Sequence, residues 1–227
     1  MFFYNDPTFI LLIPAFILAL YAQFKVKATF EKYSKVDASR GMSAAQVSRE
    51  LLDNAGLTSV PVSQVEGELS DHYDPRDKTL HLSSSVYNSG SVAAIGVAAH
   101  EVGHAIQDAK SYAPLAARNN FVPVANFGSQ LSIPMFFMGL IFSFPMLMDI
   151  GIIAFSLAVA FQVITLPVEF NASSRAIKIL SDGRYLTADE IPMAKAVLNA
   201  AALTYVAATA MAVLNLVRLI ALRNERD

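Results

Sequence analysis

The stretch VAAHEVGHAIQDAK, from Val97 to Lys110, carries two histidines and a glutamate in the pattern His-Glu-x-x-His. His100 and His104 are four residues apart, so on a helix they project from one face on successive turns. Glu101 then lies one step around the helix, beside the imidazoles. Imidazoles and carboxylates are common ligands of catalytic zinc, and a nearby carboxylate can accept a proton from water. The pattern therefore predicts a Zn²⁺ site with His100 and His104 as ligands and Glu101 as general base.

The composition around this motif is typical of a membrane protein. Of the 227 residues, 54% are hydrophobic and only 16% are charged, whereas soluble domains carry about 25% charged residues. The net charge of −2 argues against a nucleic-acid partner, because phosphate binding needs a basic excess. The chain has no cysteine, which excludes disulfides and thiolate metal sites.

Four apolar stretches are long enough to cross a bilayer core, which needs roughly 20 residues per helix. The predicted spans are residues 7–24, 128–146, 150–168 and 196–217, with a tight turn around FPMLMD between the second and the third. Residues 25–118 then form a small domain that carries the motif, and residues 169–195 form a second segment on the same side. The sequence predicts a mainly α membrane protein with about four transmembrane helices and a small α+β, zincin-like domain.

The lysines after the first span indicate its orientation. Lys25, Lys27, Lys32 and Lys35 follow the apolar run, whereas a signal peptide would carry its positive charge before it. Positive charge marks the cytoplasmic side, so the motif domain and residues 169–195 are expected to face the cytoplasm. Arginines near the C-terminus oppose this assignment for the fourth span, and the orientation of the C-terminus stays open.

Local signals divide the domain into elements. Ser43 is a candidate N-cap and Gly56 a candidate C-terminal stop for one helix. Residues 74–77 (Asp-Pro-Arg-Asp) indicate a turn, residues 79–83 a short strand, and Ser91 the start of the motif helix.

A catalytic zinc site needs a third protein ligand. Asp108 follows His104 on the same helix and cannot easily turn back, and Asp149 lies at the far turn of the predicted hairpin. Glu169 ends the third span, on the same side as the motif helix. A carboxylate at the membrane boundary is costly unless a cation pairs with it, which favours Glu169 as the third ligand. The alternative is an interfacial glutamate that pairs with Arg175.

Three stretches carry a resemblance to a known family: DHYDPRDKTLHLSSSVYNSGSVAAIGVAAHEVGHAIQDA, PVEFNASSRA and VLNAAALTYVAA. Over nearly its whole length the chain resembles the YugP-type membrane zinc metallopeptidases of bacteria. It is more distantly similar to the membrane gluzincin peptidases, which include the CAAX prenyl protease and the heat-shock membrane peptidase. The resemblance implies a zinc-dependent endopeptidase of the bacterial inner (plasma) membrane, with His100, His104 and Glu169 as metal ligands and Glu101 as base.

The wider gluzincin group uses an ExxAD pattern, and this chain departs from it. Ser173 stands where that group has the aspartate that orients a ligating imidazole. We expect Ser173 or Asn171 to take over this orienting role, with Asp71 as another candidate.

Two further features are candidates for substrate contacts. In gluzincin-like folds an extended peptide pairs with a strand edge beside the metal, and Leu80, His81 and Leu82 occupy the corresponding place in the sequence. His72, or its neighbour Tyr73, is a candidate donor to the oxyanion of amide hydrolysis. The alternative for His72 is a turn histidine without a catalytic role.

Two other functions remain open from the sequence. A site-2-type intramembrane protease would take an aspartate from an Asp-Gly motif, which Asp182 in SDGRY superficially supplies. A non-catalytic membrane adaptor would retain zinc for structure alone. The expected partners are the lipid bilayer and protein or peptide substrates, and the sequence leaves a homo-oligomer or an accessory membrane protein open.

Overall fold

The fold is mainly helical, with one small sheet. The computed structural model describes residues 7–67 and 70–225. After a 3-10 helix at Pro7–Leu12, the elements are α1 Ile13–Tyr33, α2 Ala44–Asn54, β1 Val62–Val65, β2 His72–Asp74, β3 Thr79–Ser83, α3 Ser84–Tyr87, α4 Val92–Ala109, α5 Ala113–Ile141, α6 Pro145–Asp182 and α7 Ile191–Asn224.

Four helical segments are long and apolar enough to cross a membrane: Pro7–Tyr33, Ala113–Ile141, Pro145–Asp182 and Ile191–Asn224. Three of them contain the corresponding predicted span and extend beyond it, whereas Ala113–Ile141 begins before its predicted span of residues 128–146 and ends five residues short of it. The apolar runs marked only the part of each helix that suits lipid, whereas backbone hydrogen bonding continues into polar sequence. The turn between α5 and α6 lies at residues 142–144, slightly before the predicted position.

The chain divides into two compact units. The first contains the described residues up to Gln23, Ala117–Pro167 and the chain from Thr204 onward. Here α5 and α6 pack through glycine: a Cβ on Gly151 would lie 2.8 Å from the backbone nitrogen of Phe136. Small residues at such contacts let helix backbones approach closely, which is how membrane helices gain packing energy.

The second unit comprises Phe24–Ala116 and Val168–Leu203. Its core is formed by apolar side chains of α2, the sheet, α4 and the parts of α6 and α7 that belong to this unit. Ser43 caps α2 through a reciprocal capping box with Gln46, as the local sequence predicts. Gly56 follows the end of α2 with a φ of +76°, a conformation that favours glycine. The predicted turn and the predicted strand at residues 79–83 are also present.

The sheet has the strand order β1-β3-β2. β3 pairs in parallel with β1 and antiparallel with β2, so it is the central strand. The substrate-binding edge predicted at Leu80, His81 and Leu82 is therefore wrong for Leu80 and His81, whose backbone pairs with both neighbouring strands. Leu82 pairs with Gln64 of β1, and its contact with substrate stays a prediction. Local sequence indicates a strand but not its neighbours, and the two edges belong to β1 and β2.

Candidate metal centre

Helix α4 carries His100, Glu101 and His104. It begins after Ser91, whose hydroxyl accepts a hydrogen bond from the Ala94 N–H at 3.2 Å, as expected for an N-cap. Gly103 faces α6 between the two histidines: a Cβ there would lie 2.7 Å from the carbonyl oxygen of Ala172. The absent side chain lets the two helices approach closely at this point.

This approach brings His100, His104 and Glu169 together, with their ligand atoms within 4.8 Å of one another. The imidazole Nε2 atoms of His100 and His104 are 3.2 Å apart. The Oε2 atom of Glu169 lies 3.3 Å from Nε2 of His100 and 3.6 Å from Nε2 of His104. Glu169 is only 3% exposed, although it is the residue at which the third apolar run ends.

These distances fit a tetrahedral zinc ion. With zinc–nitrogen and zinc–oxygen bonds of about 2.0–2.1 Å, ligand atoms around a tetrahedral ion are roughly 3.3–3.4 Å apart. The three observed separations, 3.2, 3.3 and 3.6 Å, bracket this value. Two imidazoles and one carboxylate are also a donor set found in catalytic zinc sites, where the fourth position remains open.

The outer nitrogens of the imidazoles have neutral partners. Nδ1 of His100 lies 3.0 Å from the Ser173 hydroxyl, and Nδ1 of His104 lies 3.0 Å from Oε1 of Gln107. The amide nitrogen of Gln107 donates to the Val168 carbonyl at 2.8 Å, which requires its oxygen to face His104. His104 must therefore carry its proton on Nδ1, and this leaves the Nε2 lone pair for a metal.

Ser173 thus contacts an imidazole directly, as expected for a residue that replaces the outer aspartate. Asn171 instead contacts Gln107, since its Oδ1 accepts from the Gln107 amide at 3.0 Å. The same oxygen accepts from Nε of Arg175 at 2.7 Å. Asp71 is engaged elsewhere, where it accepts hydrogen bonds from the backbone and the hydroxyl of Ser83.

Glu101 lies beside the cluster and is 8% exposed. Its Oε2 accepts a hydrogen bond from the backbone N–H of Tyr73 on β2 at 3.1 Å. Burial raises the pKa of Glu101, with the nearby imidazoles opposing this shift and Glu169 and Asp71 adding to it. A carboxyl with a raised pKa is a better proton acceptor than an exposed one.

The electrostatics of the cluster favour a cation. Burial by itself lowers the pKa of His104, but the hydrogen bond that its imidazolium donates to Glu169 and the charges of Glu101 and Glu169 outweigh this effect and raise that pKa. The site therefore stabilises positive charge at Nε2 of His104. A metal ion bound there would meet the same attraction.

His72 does not lie with this cluster. Successive strand residues point to opposite sheet faces, and Tyr73 faces α4, where its hydroxyl donates to Asp108 at 2.8 Å. The His72 side chain is on the other face, stacked on His81 with ring centroids 4.7 Å apart. Its Nδ1 lies 2.8 Å from the Ser70 carbonyl. The oxyanion role of His72 stays a prediction, and these contacts place its ring on His81 and not on the side where Tyr73 meets α4.

Gln107 was not predicted from the sequence as the partner of His104. Its position three residues after His104 places it on the same side of the helix, and that spacing is the signal that could have identified it. Its two links to α6, through Val168 and Asn171, could not be read from sequence because they depend on how the helices cross.

Asp182, the ligand expected for a site-2-type protease, lies at the C-terminal end of α6 and is exposed. Among the residues that the structure describes, the group able to hold a metal ion contains Glu169 and not Asp182. Arg175, the alternative partner of Glu169, donates to Asn171 and lies 5.8 Å from the ring centroid of Tyr112.

Comparison with known proteins identifies the family of the chain. Residues 8–224 match the family described as "Putative neutral zinc metallopeptidase". The chain is 48% identical over 218 residues to the "Putative membrane protease YugP" of Bacillus subtilis (strain 168), an alignment that covers 96% of this chain and 97% of that protein. No solved structure matches the chain. Because the family match covers nearly the whole chain, and the relative is similar over the same length, the chain belongs to this family of zinc metallopeptidases.

Proposed function

We propose that this chain is a membrane-embedded, zinc-dependent endopeptidase that hydrolyses peptide bonds in membrane or membrane-proximal proteins. One observation carries the proposal: three ligand atoms separated by 3.2–3.6 Å lie beside a buried carboxylate. His100, His104 and Glu169 would hold the ion. Zinc bound there would lower the pKa of a water from about 16 to about 7 and polarise the substrate carbonyl.

Glu101 is proposed as the general base. It takes a proton from water as the scissile carbonyl is attacked, and then delivers that proton to the leaving amine nitrogen. Its burial supports this role, because a carboxyl with a raised pKa both accepts and returns a proton more readily near neutral pH. The Tyr73 N–H donates a hydrogen bond to Oε2 of Glu101, so Oε1 is the oxygen that would accept the proton from water and return it to the leaving amine.

The edge strand β2 is the proposed contact for substrate backbone. In an antiparallel ladder, the N–H and C=O of one residue point to the same side. The Tyr73 N–H points to Glu101 and not to β3, so the Tyr73 carbonyl also faces away from β3. An extended substrate added at this edge would meet that carbonyl beside the general base, as in recognition by strand addition.

The membrane context supports substrates at or near the bilayer. Glu169 belongs to a helix that is long and apolar enough to span a membrane, so the proposed site is tied to such a helix. The lysines that follow the first apolar run favour a cytoplasmic site in a bacterial plasma membrane.

The test is metal analysis of purified protein together with proteolysis of a panel of membrane proteins. Glu101→Gln should retain zinc and lose hydrolysis, because it removes the base and keeps the ligands. Glu169→Gln should lose zinc, whereas Asp182→Asn, the matched control on the same helix, should retain both zinc and activity. Zinc loss in Asp182→Asn with retention in Glu169→Gln would favour a site-2-type enzyme instead.

A zinc-binding adaptor without catalysis is the alternative from another class. It predicts that Glu101→Gln changes neither partner binding nor cellular phenotype. Wild-type protein that holds zinc and cleaves no member of the panel would support the adaptor and contradict the proposed peptidase activity.

A further inference from the structure

A cavity of about 480 Å³ lies in the unit that contains Phe24–Ala116 and Val168–Leu203. It is lined by α1 and α7 and shares no residue with the metal centre. On α1 its lining includes Lys25, Thr29 and Lys32, which follow the i, i+4, i+7 spacing of one helix face. This face adjoins the end of the first apolar run.

The side of α7 that lines the cavity combines small residues with one amide. Asn199 and Ala200 follow Ala196 by three and four residues, so the three share one face. The two alanines leave space between the helices, and Asn199 adds a hydrogen-bonding group to the wall. The cavity thus results from small side chains on one helix opposite long cationic ones on the other.

The charged side chains that line the cavity are the two lysines, Lys25 and Lys32. No acidic residue is among its lining residues, and the nearest acid in sequence, Glu31, pairs with Lys35 at 3.2 Å. Lys25 and Lys32 are separated by seven residues, which is about 10 Å along the helix. Between them stands the Thr29 hydroxyl, so this wall presents two ammonium groups and a hydroxyl to one space.

We propose that this cavity binds the phosphate group of an anionic membrane phospholipid. Ammonium, hydroxyl and amide groups are donors that suit phosphate oxygens. The location supports a lipid as the source: Phe24, next to Lys25, is 74% exposed, and α1 begins in sequence apolar enough to span a bilayer. A lipid there places its acyl chains along the apolar part of α1 and its headgroup between the lysines.

Lysines 27 and 35 provide a matched control. Lys27 lies on α1 and Lys35 two residues beyond its end, where it pairs with Glu31; both are cationic side chains near the same helix end, and neither lines the cavity. Non-specific attraction to an anionic surface depends on charge near the membrane, and it treats all four lysines alike. Lipid binding in the cavity, in contrast, depends on Lys25 and Lys32 in particular.

The experiment is native mass spectrometry of the full chain, released from detergent with phosphatidylglycerol and phosphatidylcholine in equal amounts. Wild type is expected to retain phosphatidylglycerol in preference to phosphatidylcholine. Lys25→Gln/Lys32→Gln should lower this retention by about five-fold per lysine, whereas Lys27→Gln/Lys35→Gln should leave it within about two-fold of wild type.

A cavity-filling variant tests whether lipid binding needs the volume of the cavity as well as the charge of its lysines. Ala28 lines the cavity and is exposed on α1, so Ala28→Phe fills the space without removing a lysine or a core side chain. It should lower phosphatidylglycerol retention while the protein keeps wild-type thermal stability in detergent.

Three outcomes would overturn the proposal. Equal losses in the two double variants would show general surface attraction, and equal retention of the two lipids would show that the anionic headgroup is not recognised. Inorganic phosphate that binds the wild type without lipid, and displaces phosphatidylglycerol at millimolar concentration, would identify free phosphate as the ligand. None of these results bears on zinc or on hydrolysis, so the peptidase proposal is tested separately.

Discussion

Replacement of Gln107 by methionine should weaken zinc binding without removing a ligand. Methionine has a similar length and shape but cannot accept the hydrogen bond from Nδ1 of His104, now 3.0 Å long. Gln107 is fully buried, so water does not take its place. The His104 ring then loses the contact that fixes both its orientation and its tautomer.

The size of the effect follows from which groups are left without a partner. The Val168 carbonyl lies within α6 and has a helical partner, and Asn171 keeps its hydrogen bond from Arg175 at 2.7 Å. The Nδ1–H of His104 is the group that is left buried and unpaired, which costs about 1–3 kcal/mol of the free energy of unfolding. Loss of such an outer partner typically lowers metal affinity 10- to 100-fold, or by about 1.4–2.8 kcal/mol.

The assay is competition for zinc between purified protein and a fluorescent chelator, with thermal unfolding measured on the same samples. Ser48→Ala is the control, because it removes a buried hydrogen bond within α2, from the Ser48 hydroxyl to the Ala44 carbonyl at 2.8 Å. It should lower stability and leave zinc affinity unchanged. A folded Gln107→Met protein that binds zinc within about two-fold of wild type would refute the orienting role.

Two further predictions concern packing and pH. Gly103→Ala should lower the free energy of unfolding by about 1–3 kcal/mol and reduce zinc content, because its Cβ would lie 2.7 Å from the Ala172 carbonyl oxygen; unchanged melting temperature and zinc content would contradict this. Burial by itself would raise the pKa of Glu190, but hydrogen bonds from the hydroxyl and N–H of Ser39 and from the Thr187 N–H lower it. The resulting stabilisation is present above the carboxyl's usual pKa and is lost as pH falls through the lower folded-state value. The stability gap between wild type and Glu190→Gln, measured by thermal unfolding in detergent, should therefore shrink as the pH falls below the usual glutamate pKa of about 4.3, and a gap independent of pH would exclude this coupling.

The sequence predicted the elements whose causes are local. Ser43 and Ser91 begin helices because their hydroxyls accept hydrogen bonds from backbone N–H groups three residues ahead, and this signal is complete within one turn. The proximity of Glu169 to the imidazoles was also expected, from the cost of a lone carboxylate at the membrane boundary.

The features that the sequence did not predict depend on long-range contacts. β3 is central because β1, which precedes β2 in the sequence, pairs in parallel with β3 on the side opposite β2. Nothing within Leu80–Leu82 indicates that β1 is a neighbour. Helix α6 continues from Glu169 to Asp182. This extension was not predicted, because hydropathy indicates where a helix suits lipid and not where its backbone hydrogen bonding ends. Gln107 gains its role from the crossing of α4 and α6.

The neutral partners of the two imidazoles fit the charge that this buried site carries. Burying a charge is costly unless an opposite charge or hydrogen bonds compensate it, and Glu101 and Glu169 are both buried. Two carboxylates balance one divalent cation, whereas an aspartate in place of Ser173 would add a third negative charge. Gln107 and Ser173 orient the rings through hydrogen bonds alone, so the site can lie within an apolar core without excess charge. The departure from the ExxAD pattern is thus consistent with a metal centre whose charges are balanced by its ligands and its base.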